Sequence, residues 1–380
     1  MVEFVNTVAY HKAHPEESLA RYAQRKHREL ANSIRGMKKV YLDTKYWIML
    51  RDARMGRGTE PASRLLTLLS SLAADRKAVC PISIATYMEI QKQADVHTRT
   101  ATAQLVDELS SGVSIVEENE RVRLEVAHWL LTMSSSVDQV DELKYLPWTK
   151  VPYVLGFVFP TIPDVDPHFE LAIQKSFLDQ MWVIGLVDWV KGRPADYFEH
   201  PARQFDVSAI NQGKTAHLDE HKDFKSLLLA EIAGVLDSFR EACALALKDN
   251  WLRASGNKED CEVDADAMNE SGRRVSNLIH SAFTYDRITT AVPTIRVFAS
   301  LHAAMRWDRG RVFKPNDILD IHHAVAAIPY CDYFLTERSL CHLVRSGNLA
   351  FENLFDCKVF SEADKAIESF ALLAGQLNHR

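Results

Sequence analysis

Lys39-Val40-Tyr41-Leu42-Asp43-Thr44 is the stretch on which the fold turns. Val, Tyr and Leu in unbroken succession suit a strand buried on both faces, the pattern of parallel rather than half-exposed antiparallel sheets. Asp43 ends the strand with a carboxylate, and a helix starts at Thr44. Downstream the alternation repeats. Gly56 and Gly58 turn the chain into an amphipathic helix at 60–74, and Ala78-Val-Cys-Pro81 is a second short apolar strand. Ser83 is the expected N-cap of a helix running through Glu89. A further helix covers 98–109, a third strand 113–116 and another helix 119–133. Strands alternating with helices predict an α/β fold with a parallel sheet flanked by helices.

Upstream, 15–35 reads as a helix, and residues 1–39 carry eight Lys and Arg against four Glu. That surplus fits a solvated helix face, the commoner use, or a phosphate-binding arm. Past 140 the pattern changes. Residues 145–168 hold five prolines among aromatics, and 169–191, 222–254 and 266–284 show apolar residues at helical spacing, with loops near 193–212 and 256–264. The α/β pattern returns with a helix at 316–327, a strand at 333–336, a helix at 338–345, a strand at 356–360 and a last helix at 362–377. The division read from this is a basic helical arm at 1–37, a first α/β part at 38–140, a mostly helical insertion at 141–305 and a second α/β part at 306–380.

The 380 residues are 47% hydrophobic and 25% charged, ample for a core, with a net charge of −6. A nucleic-acid partner would therefore need a local basic patch. Six cysteines stand far apart without a CxxC pair, which argues against zinc ribbons and disulfide frameworks and for buried thiols. No signal-peptide pattern opens the chain. The most apolar long stretch, 177–190, is broken by Asp179, Gln180 and Asp188 and is too short to span a bilayer. The expectation is a cytoplasmic protein with no membrane contact.

Four carboxylates fall at strand ends or helix starts: Asp43, Glu89, Asp320 and Glu337. In an open parallel sheet the carboxyl ends of the strands share one edge, where sites form. Acids there can converge although 231 residues separate Glu89 from Asp320. Clustered carboxylates repel, and a hard divalent cation relieves that repulsion. Such an ion polarises a phosphoryl oxygen and acidifies a water nucleophile.

These residues resemble the PIN-domain nucleases. That family places an Asp at the end of the first strand, commonly followed by Thr or Ser, as in Val40-Tyr-Leu-Asp43-Thr44. It places a Glu in the helix after the second strand, as in Pro81-Ile-Ser-Ile-Ala-Thr-Tyr-Met-Glu89. A third acid lies early in a helix with small residues, ahead of a Thr-containing strand end. Here Asp320-Ile-His-His-Ala-Val-Ala-Ala leads to Tyr333-Phe-Leu-Thr336-Glu337-Arg338. Ser114-Ile-Val-Glu-Glu resembles the stretch between the second and third acids. The resemblance covers about 40–135 and 313–360. It implies a Mg²⁺- or Mn²⁺-dependent endoribonuclease with Asp43, Glu89, Asp320 and Glu337 as ligands. By analogy it also implies a regulated nuclease of toxin or phage-defence type.

The chain departs from the family in two ways. The position two residues after Thr336, commonly an acid or Asn, is Arg338, and the acid is Glu337. Asp317 or Asp332 stands as a substitute, although Asp317 equally fits a helix-start acid favoured by the macrodipole, and Asp332 a turn. The other departure is the insertion. Its residues 146–300 carry 22 acids and 16 Lys and Arg, which suits a scaffold, lid, regulatory-protein contact or homo-oligomer contact better than phosphate binding.

Lys45 and Arg338 are candidate phosphate contacts, and Thr44 and Thr336 candidate hydroxyls orienting carboxylates or water. His322 and His323 point about 100° apart on a helix, so only one can face the site as a proton shuttle or substrate contact. The aromatic run 148–159 fits base stacking, or more simply core or interface packing. Gly213-Lys-Thr215 lacks the upstream Gly and strand of a P-loop, and no GxSxG elbow supports serine hydrolase chemistry. Two other functions remain open: an inactive PIN-like module that binds RNA or protein, and a structure-specific nuclease acting on DNA, single strands included.

Overall fold

The computed structural model describes residues 5–133, 141–192, 205–217, 219–255 and 264–376. Cys261 and most of the loops expected at 193–212 and 256–264 lie outside these. The first elements are α1 (Val8–Lys12), α2 (Leu19–Ser33), β1 (Lys38–Leu42), α3 (Thr44–Arg54), α4 (Glu60–Ala74), β2 (Ala78–Val79), α5 (Ile84–Gln91), α6 (Val96–Ser110) and β3 (Val113–Ile115). Then come α7 (Glu118–Met133), β4 (Trp148–Lys150), α8 (Val151–Leu155), α9 (Pro167–Val183), α10 (Leu186–Lys191), α11 (Ser208–Ala216), α12 (Phe224–Ser238), α13 (Arg240–Ser255) and α14 (Ala265–Thr284). The last are α15 (Pro293–Trp307), α16 (Pro315–Ala327), β5 (Tyr333–Leu335), α17 (Arg338–Arg345), α18 (Phe351–Phe355), β6 (Lys358–Phe360) and α19 (Ala363–Gln376).

The class is mixed α/β, mostly helical. The chain forms two compact units: 1–116, 148–202 and 362–380 make the first, and 117–147 with 203–361 the second. Residues 148–202 thus belong to the first unit and 203–305 to the second. Among the described residues no helix is long and apolar enough to cross a membrane.

In the first unit β1 pairs in parallel with β2, with Lys38 opposite Ala78 and Lys39 opposite Val79. Val40, Tyr41 and Leu42 are fully buried, as an unbroken apolar run between helices requires. The crossover helix α4 buries Ala62, Leu65, Leu69 and Leu72, a stripe at three- and four-residue spacing. The third strand differs from the parallel expectation. β3 pairs antiparallel with β4, Ile115 opposite Trp148, and meets a parallel neighbour at an isolated bridge from Ser114 to Ile82. The partner strand comes from beyond α7, and Trp148, 1% exposed, makes this pairing part of the core.

The basic N-terminal helices are clasped to α9. Thr7 Oγ1 (2.7 Å), Tyr22 OH (2.5 Å), Lys26 Nζ (3.0 Å) and His11 Nε2 (2.9 Å) converge on the Asp179 carboxylate. Burial pushes the Asp179 carboxyl up, but the bonds from Tyr22, His11, Thr7 and Lys26 outweigh it and hold it at about 2. Helix α10 docks on α6 through Asp107, which accepts from the Leu186 and Val187 amides at 2.7 and 2.8 Å.

In the second unit β5 and β6 run parallel, Phe334 opposite Val359, with Phe334, Leu335 and Val359 fully buried. Helices α7, α12, α13, α14 and α15 build a common apolar core around Val126, Ile232, Cys243, Ile279 and Ala299. The periodicity predicted one helix at 222–254. The chain breaks it at Phe239, which caps α12 and starts α13, so each half turns its own stripe into that core.

Candidate functional site

Asp43 leaves β1 with extended backbone and caps α3, its Oδ1 accepting from the Lys45 amide at 2.9 Å. N-cap carboxylates normally face water, but this residue is only 4% exposed. The neighbouring Thr44 hydroxyl is buried and has no hydrogen-bond partner in the protein. A buried hydroxyl left that way costs about 1–3 kcal/mol unless a ligand or water satisfies it. Lys45 is exposed at the start of the same helix, its ammonium 5.9 Å from the Tyr46 ring. Tyr41, two residues before Asp43, bonds Ser83 Oγ at 2.6 Å and Thr86 Oγ1 at 3.2 Å. The strand that delivers Asp43 therefore also holds the first turn of α5, the helix carrying the half-buried Glu89. From the other side, Trp189 Nε1 of α10 donates to Tyr87 OH of α5 at 2.8 Å.

In the second unit Asp320 sits half-buried in the second turn of α16. Asp317 is committed to that helix's start. It accepts from the Lys314 amide at 2.7 Å and pairs with Arg311 at 3.2 Å, so the capping role accounts for its position. Thr336 is fully buried beyond β5 and donates its amide to Phe360 O at 2.8 Å. Glu337 caps α17 by backbone geometry alone, and both it and Arg338 are exposed. The Asp332 carbonyl accepts from the Lys358 amide at 3.0 Å, fixing it at the entry to β5.

Of the two histidines, His323 is buried, 1% exposed, while His322 Nδ1 meets Glu118 Oε1 at 2.8 Å. Burial raises the Glu118 carboxyl, but the bond to His322 and the charges of His322 and Arg121 leave it below its ordinary value. Glu118 stands within Ser114-Ile-Val-Glu-Glu, and the sequence there names no partner for it. Its signal was an acid at the first turn of a helix, and nothing local named His322. Trp189 and its bond to Tyr87 were likewise missed.

The structure thus brings Asp43, Thr44 and Lys45 together at one helix start, and Thr336, Glu337 and Arg338 at another. Among the described residues no group of three or more His, Cys, Asp and Glu is arranged to hold a metal ion. Mg²⁺ and Mn²⁺ need less than that, since they keep several waters and rest on one or two carboxylates plus substrate phosphate. The oxygen-only donors at Asp43 and the orphaned Thr44 hydroxyl suit such an ion. Compared with family models, curated proteins and solved structures, the chain matches none.

Proposed function

We propose that the chain is a Mg²⁺- or Mn²⁺-dependent endoribonuclease whose carboxylate ligands are drawn from Asp43, Glu89, Asp320 and Glu337. The observation that carries the reading is Asp43, a buried acid at the carboxyl end of a buried parallel strand, beside a hydroxyl without a partner. A carboxylate needed only as a helix cap gains nothing from burial. The bound ion supplies Lewis acidity toward the phosphodiester and its attacking water. Asp43 is oriented for that role by the Lys45 amide, and the Thr44 hydroxyl is free to orient water. The exposed Lys45 and Arg338 neutralise substrate phosphate. RNA is preferred to DNA on the sequence resemblance.

The test is cleavage of labelled single-stranded RNA with Mn²⁺ by the full chain and by Asp43→Asn. Asn is as good an N-cap as Asp, so the variant keeps its fold. It should lose roughly 100-fold or more in rate, the scale of several kcal/mol of electrostatic stabilisation. Equal rates would sink the mechanism, and parallel reactions on single-stranded and flap DNA separate the deoxyribonuclease reading. Arg338, standing where the resembling family commonly has an acid or Asn, favours a second reading, a catalytically inactive module binding RNA or protein. Its mark would be no Mn²⁺-dependent rise in melting temperature.

A further inference from the structure

We propose that α7 is the strut that sets the register of α16, through Glu118 on His322 and Glu125 on Tyr330, and thereby positions Asp320. The inference rests on the reading of Asp320 as a nuclease carboxylate.

Glu118 and Glu125 lie seven residues apart on α7. That is two helical turns, about 10.5 Å, so both point from the same face. Their partners lie eight residues apart, in α16 and in the tight turn that ends it, a rise of about 12 Å at helical pitch. His322 Nδ1 is 2.8 Å from Glu118, and Tyr330 OH donates to Glu125 Oε1. The two pairs follow one another in the same direction along both segments. A single contact would leave α16 free to pivot about it. Two contacts with nearly matched spacing oppose both rotation and sliding.

The strut is braced between its ends. Arg121 lies on the same face of α7, 3.7 Å from Glu118, and donates its Nε to Thr294 Oγ1 at 2.8 Å. Thr294 in turn donates its amide, at 3.0 Å, and its hydroxyl to Glu125. The N-cap of α15 is Val292, whose side chain has no hydrogen-bond acceptor, so Glu125 caps that helix from outside. Glu125 is fully buried and Arg121 1% exposed, so water does not compete for these bonds. His322 also packs edge-on against Phe298 of α15, ring centres 5.5 Å apart, which fixes the imidazole that Glu118 grips.

The test uses the full chain with Glu118→Gln, Tyr330→Phe and the two combined. Hydrogen–deuterium exchange is read on peptides covering 316–327, with α14 as control. The double variant should exchange at least tenfold faster across 316–327 with α14 unchanged, and each single variant less. Unaltered exchange across 316–327 in the double variant overturns the strut. Mn²⁺-dependent cleavage of single-stranded RNA is the second readout. Here kcat should fall at least tenfold in the double variant with KM within twofold, and Glu118→Asp should recover part of the loss seen with Glu118→Gln. Faster exchange with unchanged kcat overturns the positioning of Asp320. An inactive wild type would sink the nuclease reading, and exchange would then decide the strut alone.

Discussion

Glu125 shows how one buried residue links stability to pH. Burial pushes its carboxyl up to about 7, against the bonds from Thr294 and Tyr330 and the nearby Arg121 charge. An acid held above its ordinary 4.5 binds its proton more tightly in the folded chain. Its contribution is therefore full below about 4.5, declines as pH rises toward 7 and levels off beyond. Glu125→Gln removes that titration. Between pH 5 and pH 8 the stability difference should move in favour of the Gln variant by roughly 2–3 kcal/mol. Chemical denaturation at both pH values measures it, and a constant gap would show that Glu125 does not titrate in that range. The neighbouring chemistry was only half legible. An acid inside an apolar helix face is visible in the sequence, but its partner Thr294 lies 169 residues away.

At the scale of elements, the crossing of α13 and α14 rests on a missing side chain. A Cβ at Gly272 would lie 2.3 Å from Arg240 O, a backbone atom that cannot turn aside. Gly to Ala inside a helix ordinarily stabilises by about 1 kcal/mol. Forced overpacking costs about 1–3 kcal/mol, so the clash wins and Gly272→Ala should lower the urea midpoint. A more stable variant would show that the two helices separate easily. Most elements were legible from period and caps alone. The α4 stripe, the Pro315 start of α16 and the strand ending at Asp43 all stand as expected. The exceptions have local causes. β4 is three residues long, too short to show a period, and α12 and α13 share one apolar pattern across a break that only packing reveals.

At the scale of the whole chain, a net charge of −6 opposes any polyanion. The proposed RNA contact would then come through a few cations, and the basic surplus of the N-terminal helices is partly spent internally, with Lys26 on Asp179 and Arg25 on Glu17 and Glu29. Lys45 and Arg338, both exposed, are the proposed phosphate contacts. Each neutralised phosphate contributes about 0.7 to the salt slope for a single strand. Lys45→Gln and Arg338→Gln should each flatten the dependence of RNA binding on salt by roughly that amount. Binding curves from 50 to 200 mM salt measure it, and unchanged slopes in both would remove these residues from the interface.

The sequence by itself determined the α/β class, the buried strands and the acids at their ends, because apolar period and capping are written in neighbouring residues. Only the tertiary structure decided which long-range polar partners meet. His322 finds Glu118 across 204 residues, Asp179 gathers donors from both N-terminal helices, and β3 turns to an antiparallel partner beyond α7. The physical reason is that a buried charge or polar group must be satisfied wherever the chain brings a partner. That meeting depends on the packing of elements far apart in sequence, which no local pattern encodes.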